Sequence, residues 1–86
     1  IEHTCLRADA TGADIDRLVD EAVGTRLAAV CVHGAWAARA VRRVGGAALD
    51  VVVVAGFPHG ASATRVKLAE ARAALEDGAR DVDAVI

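Results

Sequence analysis

The chain has 86 residues, of which 55% are hydrophobic and 26% charged, with a formal net charge of -2. Acidic and basic residues alternate without a basic patch or polybasic run, which argues against nucleic acid or a membrane surface as partner. No apolar stretch approaches the roughly 18 to 20 residues that span a bilayer, and no signal-peptide pattern precedes one, so a soluble, cytoplasmic protein is expected.

Alanine and valine dominate, with one Trp, one Phe and no Tyr or Met, so the core must be made of many small branched contacts. A fold of this size removes only about 60% of its unfolded surface from water, which leaves its stability alone in question. The two cysteines, Cys5 and Cys31, lie in strand-like apolar segments, where reduced buried thiols are common. A disulfide between them requires neighbouring strands.

In chain order, the first predicted strand covers residues 1–6. A helix follows over 14–23, where Ile15, Leu18, Val19, Ala22 and Val23 recur on one face opposite Asp16, Arg17, Asp20 and Glu21. Thr11 and Asp14 resemble a capping box, and Gly24 is expected to end the helix. The second strand, 27–33, and the third, 49–56, are continuous apolar runs typical of strands covered on both faces. Between them a helix over 35–44 places Ala37, Ala40, Val41 and Val44 inward and presents Arg39, Arg42 and Arg43 as a solvated face, with Gly45-Gly46 ending it. The third helix begins near Ser62 and stops before Gly78, with Val66, Ala69 and Ala73 expected inward and Arg72 and Glu76 as an i,i+4 pair. Residues 81–86 form the fourth strand.

Strands alternating with helices imply right-handed crossovers and a parallel sheet, so the fold class is α/β. A doubly wound sheet and an arc of a (β/α)8 barrel are both open. The strand spacing favours the arc, because eight such units need roughly 200 to 250 residues, the usual size of that barrel. Four strands and three helices are then half a barrel. A flavodoxin-like domain remains an alternative, but would need the strand order to reverse at a switch point.

In the fourth strand Val82, Ala84 and Ile86 share one face and Asp83 projects from the other. If the apolar row packs under helices, Asp83 points into the barrel, where burial and a cation partner would tune a carboxylate for proton transfer. A strand-end carboxylate reaching solvent fits the same pattern. A zinc site would have to pair Cys31 and His33 with His3, Cys5 or His59, yet no metal-ligand spacing such as C-x2-C or H-E-x-x-H occurs, so no metal is expected. The loop Gly56-Phe57-Pro58-His59-Gly60 follows the third strand at the carboxyl-terminal edge, where barrel active sites are assembled. It carries neither a Walker lysine nor G-x-G-x-x-G, which disfavours dinucleotide binding.

Glu2-His3-Thr4, Ala28-Ala29-Val30-Cys31-Val32, Val54-Ala55-Gly56-Phe57-Pro58-His59-Gly60-Ala61, Lys67 in the next helix, and Asp77-Gly78-Ala79 through Asp83-Ala84-Val85-Ile86 occur in register with one family. In order and separation the whole chain resembles the N-terminal half of deoxyribose-phosphate aldolase of the Schiff-base type. The resemblance implies a partial (β/α)8 barrel, residues 1–86 forming that half with no second domain. It also implies reversible cleavage of 2-deoxy-D-ribose 5-phosphate to glyceraldehyde 3-phosphate and acetaldehyde, without metal or cofactor. Asp83 would serve the proton relay, Glu2 and Thr4 would line the same pocket, and Cys31 would sit at its wall. The implied partners are a phosphosugar and an aldehyde.

Three departures accompany the match. Position 2 is Glu where the family usually has Asp, and His33-Gly34 replaces the common Asn-Pro. The one lysine, Lys67, sits on a helix, where an outer-face or interhelix contact with Glu70 is expected, and not at the family's imine-forming position on strand six. The companion lysine on strand seven and the phosphate-binding loops of strands seven and eight likewise have no counterpart. The chain is therefore expected to be a fragment, inactive alone. A non-catalytic half-barrel that self-associates or is completed by a partner is the alternative, since open strand edges and an exposed apolar face favour association.

Overall fold

A computed structural model describes residues 2–86, so Ile1, expected to begin the first strand, lies outside the described residues. The elements are β1 (Glu2–Cys5), α1 (Gly12–Gly24), β2 (Ala29–His33), a 3-10 turn (Gly34–Trp36), α2 (Ala37–Val44), β3 (Asp50–Ala55), α3 (Thr64–Glu76) and β4 (Asp81–Ala84). The four strands pair in parallel in the order β1-β2-β3-β4. Consecutive neighbours give no switch point, which removes the flavodoxin-like alternative. Among the described residues, no helix is long and apolar enough to cross a membrane.

Alternation along each strand divides the sheet into two layers. Val30, Val32, Val51 and Val53 pack under Ile15, Leu18, Val19 and Ala22 of α1, Ala37 and Ala40 of α2 and Ala74 of α3. Each fully buried valine or isoleucine contributes roughly 1.5 to 3 kcal/mol, so this layer holds the element order together. The opposite layer is smaller, with Ala29, Cys31, Val52 and Val54 buried and Leu6 packed against them.

Thr11 and Asp14 cap α1 reciprocally: the Asp14 N–H donates to Thr11 Oγ1 at 3.3 Å and the Thr11 N–H to the Asp14 carboxylate at 2.9 Å. Gly24 stays within the helix, and Thr25 is the cap, its hydroxyl donating to the Glu21 carbonyl at 2.7 Å. The arginine face of α2 is not simply solvated. Arg39 grips Asp16 through two bonds of 3.0 and 2.9 Å, and Arg43 grips Asp20 through two of 2.9 and 2.7 Å. Residues four apart on each helix thus meet residues four apart on the other, and the fork geometry of arginine fixes how the helices lie against each other.

Helix α3 departs most from expectation. Val66, Ala69 and Ala73 are exposed, and the inward row is Lys67, Ala71 and Ala74. An alanine-rich helix offers more than one apolar row, and a periodicity count does not credit the alkyl stem of a lysine. Arg72 and Glu76 form no ion pair among the described residues.

The bond from Arg39 holds the Asp16 carboxyl below its ordinary 3.8, and the bond from Arg43 does the same for Asp20. A depressed folded value contributes stability that is complete above the unfolded value and is lost as pH falls through the folded one. Melting temperature should therefore drop as pH is lowered below 3.8. In Asp16→Asn/Asp20→Asn that acid-dependent drop should be smaller, and an identical acid profile would show that the two pairs contribute nothing.

Candidate functional site

Three of the four side chains expected at the site are brought together. One carboxylate oxygen of Glu2, the Cys31 sulfur and one carboxylate oxygen of Asp83 lie within 4.8 Å of one another, on the sheet face opposite the helices. In register, Thr4 stands beside Cys31, Cys31 beside Val52, Val52 beside Asp81, and Val54 beside Asp83. Thr4 therefore flanks the cluster and is exposed. Backbones of β1 and β4 are three strand spacings apart, roughly 14 Å in a flat sheet. Side chains of Glu2 and Asp83 can meet across that span only if the sheet curves around this face. The curvature of the arc is thus measured by these side chains.

Cys31 is buried, whereas Glu2 and Asp83 are exposed. Asp83 projects away from the helices and is exposed on the concave face. Burial, reinforced by the negative charges of Glu2 and Asp83, pushes the Cys31 thiol up to about 11. It is a neutral thiol at physiological pH and not a nucleophile in waiting.

The carboxyl-terminal rim is tied from strand to strand. His33 Nε2 lies 2.9 Å from the Leu6 carbonyl oxygen, and its ring meets Phe57 edge-on with centroids 5.6 Å apart. The Gly56 N–H donates to the Glu70 carboxylate of α3 at 3.1 Å, and the Gly60 N–H closes the loop onto the Gly56 carbonyl at 2.7 Å. Both glycines have positive φ, 66° and 70°. A Cβ on Gly60 would fall 2.7 Å from the Ile86 carbonyl oxygen, so the loop sits directly on the segment that follows Asp83. Only glycine meets both requirements at this point.

Lys67 does not have the outer-face role expected of it. Its alkyl stem packs where a Cβ on Gly56 would stand, 2.9 Å from Cε, while Glu70 turns to the Gly56 backbone. The rim functions of Glu70 and His33 were not anticipated. The available signal for Glu70 was an acid one turn from a half-buried helix position, facing a glycine that ends a strand.

The proposed partners of a Cys31 and His33 zinc site are not assembled. His3 pairs with Glu21 of α1 at 3.0 Å, and Cys5 packs with the helix-side core, on the face opposite Cys31. The same alternation explains why both cysteines are free although β1 and β2 are neighbours.

No family model matches the chain. A deoxyribose-phosphate aldolase of Finegoldia magna is 42% identical over 86 residues, covering 100% of this chain and 40% of the relative. Among solved structures, a candidate deoxyribose-phosphate aldolase from Coccidioides immitis superposes with a TM-score of 0.97 at 39% identity, covering 99% of this chain and 34% of that one. A tetrameric deoxyribose phosphate aldolase from Aeropyrum pernix gives 0.91 at 29% identity, covering 96% and 36% respectively. The chain spans about 40% of the length of the curated relatives it matches. Its four parallel strands and three helices match the N-terminal part of these aldolase barrels.

A thiol value near 11 against an ordinary 9 reduces the thiolate fraction at pH 8 by about a hundredfold. Alkylation of Cys31 by iodoacetamide, followed by peptide mass spectrometry, should be slower by at least about that factor in the folded chain than in urea. Glu2→Gln and Asp83→Asn should each restore a minor part of the rate, because burial is the larger cause. Equal rates in folded and unfolded chain would contradict the placement of Cys31.

Proposed function

We propose that residues 1–86 form the first four strands and three helices, as one unit, of a (β/α)8 deoxyribose-phosphate aldolase of the Schiff-base type. The reaction is reversible cleavage of 2-deoxy-D-ribose 5-phosphate to glyceraldehyde 3-phosphate and acetaldehyde. The observation that carries the proposal is the convergence of Glu2, Cys31 and Asp83 on the concave face. It is supported by relatives of that name along the entire chain.

In this chemistry a neutral lysine amine adds to the aldehyde carbonyl, water leaves, and the iminium accepts the electron pair of the breaking carbon–carbon bond. Each step moves a proton, and Asp83 is the group assigned to carry it at the carbinolamine oxygen. Its exposure on the concave face leaves it able to reach a substrate there. The Thr4 hydroxyl and the Glu2 carboxylate line the same hollow and orient polar groups of the substrate. Cys31 forms the wall as an uncharged thiol. The role of Glu2 is the one most altered by sequence, its carboxylate being carried one methylene further than the Asp usual in the family.

The nucleophile belongs to the other half of the barrel, together with the phosphate-binding loops. Lys67 does not replace it, because its stem is packed under Gly56 on the helix side of the rim. Incubation of the 86-residue chain with acetaldehyde and borohydride should therefore trap no more adduct on Lys67 than the same chain gives in urea. Faster trapping on Lys67 in the folded chain than in urea would overturn the assignment of the nucleophile to the other half.

A second function, self-association or packing on a partner as a half-barrel, is favoured by one observation. Sheet order leaves β1 and β4 each with one neighbour, and Leu68 and Leu75 of α3 are 54% and 55% exposed. Unpaired edges and apolar helix faces are what association covers. Light scattering after size exclusion should give a mass above the monomer's 8.8 kDa. A monodisperse, folded monomer would remove this second function.

A further inference from the structure

We infer that His33 is a substrate-binding residue, its Nδ1 accepting a hydrogen bond from the hydroxyl of the phosphosugar that takes no part in bond cleavage. The inference rests on the proposed aldolase reaction, to which it adds a residue outside the Glu2, Cys31 and Asp83 cluster.

Three observations place the ring. Alternation along β2 puts His33 on the concave face with Cys31, two residues and roughly 6.6 Å nearer the carboxyl-terminal rim. In register His33 stands beside Val54 and Val54 beside Asp83, so His33 and Asp83 flank one buried valine in a single row. The ring itself is held twice: Nε2–H donates to the Leu6 carbonyl oxygen at 2.9 Å, and Phe57 meets the ring edge-on.

Those contacts decide what the other nitrogen can do. A carbonyl oxygen only accepts, so Nε2 carries the proton, and Nδ1 of the neutral ring is left as an acceptor. Nδ1 makes no hydrogen bond among the described residues. The one side-chain polar atom buried without a partner among them is Ser62 Oγ, so Nδ1 is open to solvent. A half-buried ring with a fixed tautomer and one open acceptor binds a donor with little left to reorganise.

The substrate offers one hydroxyl of the right kind. In its open chain C1 is the carbonyl, the C3 hydroxyl gives up its proton as the C2–C3 bond breaks, and the C4 hydroxyl passes unchanged into glyceraldehyde 3-phosphate. With the reacting end served by Asp83, the carbon chain crosses the apolar floor of Val54 toward His33, and C4 is the next carbon on that path.

The test uses the full-length aldolase in which these residues stand and two substrates, 2-deoxy-D-ribose 5-phosphate and its 4-deoxy analogue, 3,5-dihydroxypentanal 5-phosphate. Asn carries its amide oxygen near the place of Nδ1, and Gln its amide nitrogen near that of Nε2, so the two variants separate the substrate contact from the tie to Leu6. His33→Gln should lower kcat/KM for the natural substrate by about tenfold and for the analogue by no more than about twofold. His33→Asn should stay closer to wild type than His33→Gln on the natural substrate. Equal losses on both substrates in His33→Gln, or a more active Gln than Asn variant on the natural one, would overturn the inference while leaving the aldolase proposal standing. Failure of the wild-type protein to cleave either compound would instead remove the aldolase proposal, and this inference with it.

Discussion

Curvature of the sheet is the constraint on which the site depends. With helices on one face only, the apolar layer of Val30, Val32, Val51 and Val53 is pulled against α1, α2 and α3, and the other face is left concave. That concavity is what allows Glu2 on β1 and Asp83 on β4 to meet although two strands separate them. In a flat parallel sheet the same residues would sit roughly 14 Å apart at the backbone and act independently. Packing energetics on the helix side therefore set functional geometry on the other.

The rim transmits the same order to the loops. Contacts run from the end of β1 through His33 to Phe57, and from Gly56 to Glu70, and the close approach of Gly60 to Ile86 carries them to the end of β4. Each contact is modest, but they share the loop between β3 and α3 and limit its freedom from three sides. Since Asp83 lies three residues before Ile86, the position of that loop and the path of the β4 backbone are fixed together. The α1–α2 ion pairs act at a different level: they set how two helices lie side by side and touch the site only through the strands beneath.

Much of this was legible in the sequence, for identifiable reasons. Continuous valine runs marked β2 and β3, and a capping box marked the start of α1, because these signals are local and depend on no neighbour. The direction of Asp83 followed from alternation, although of the apolar row expected to pack under helices only Val82 does so: β4 ends at Ala84, and Ala84 and Ile86 are exposed. Helix α3 was misjudged because alanine at many positions flattens the amphipathic contrast, and its inward row includes a lysine whose stem, not its charge, does the packing. The Asp16–Arg39 and Asp20–Arg43 pairs were invisible because the partners are 23 residues apart and belong to different helices. Nor could spacing show that Glu2, Cys31 and Asp83 converge: alternation gives the face, and only curvature gives the distance.

Among the described residues neither Glu2 nor Asp83 forms an ion pair. Two carboxylates and a thiol held neutral by burial and by those carboxylates make a hollow whose electrostatics favour whatever brings a cation into it. In the proposed reaction an iminium formed on a lysine of the facing half would be such a cation, and because its charge develops as the carbonyl is consumed, the same field that binds it would also lower the cost of forming it. The two carboxylates hold that field in place before the charge develops, so the hollow is suited to carbonyl chemistry that passes through a cation.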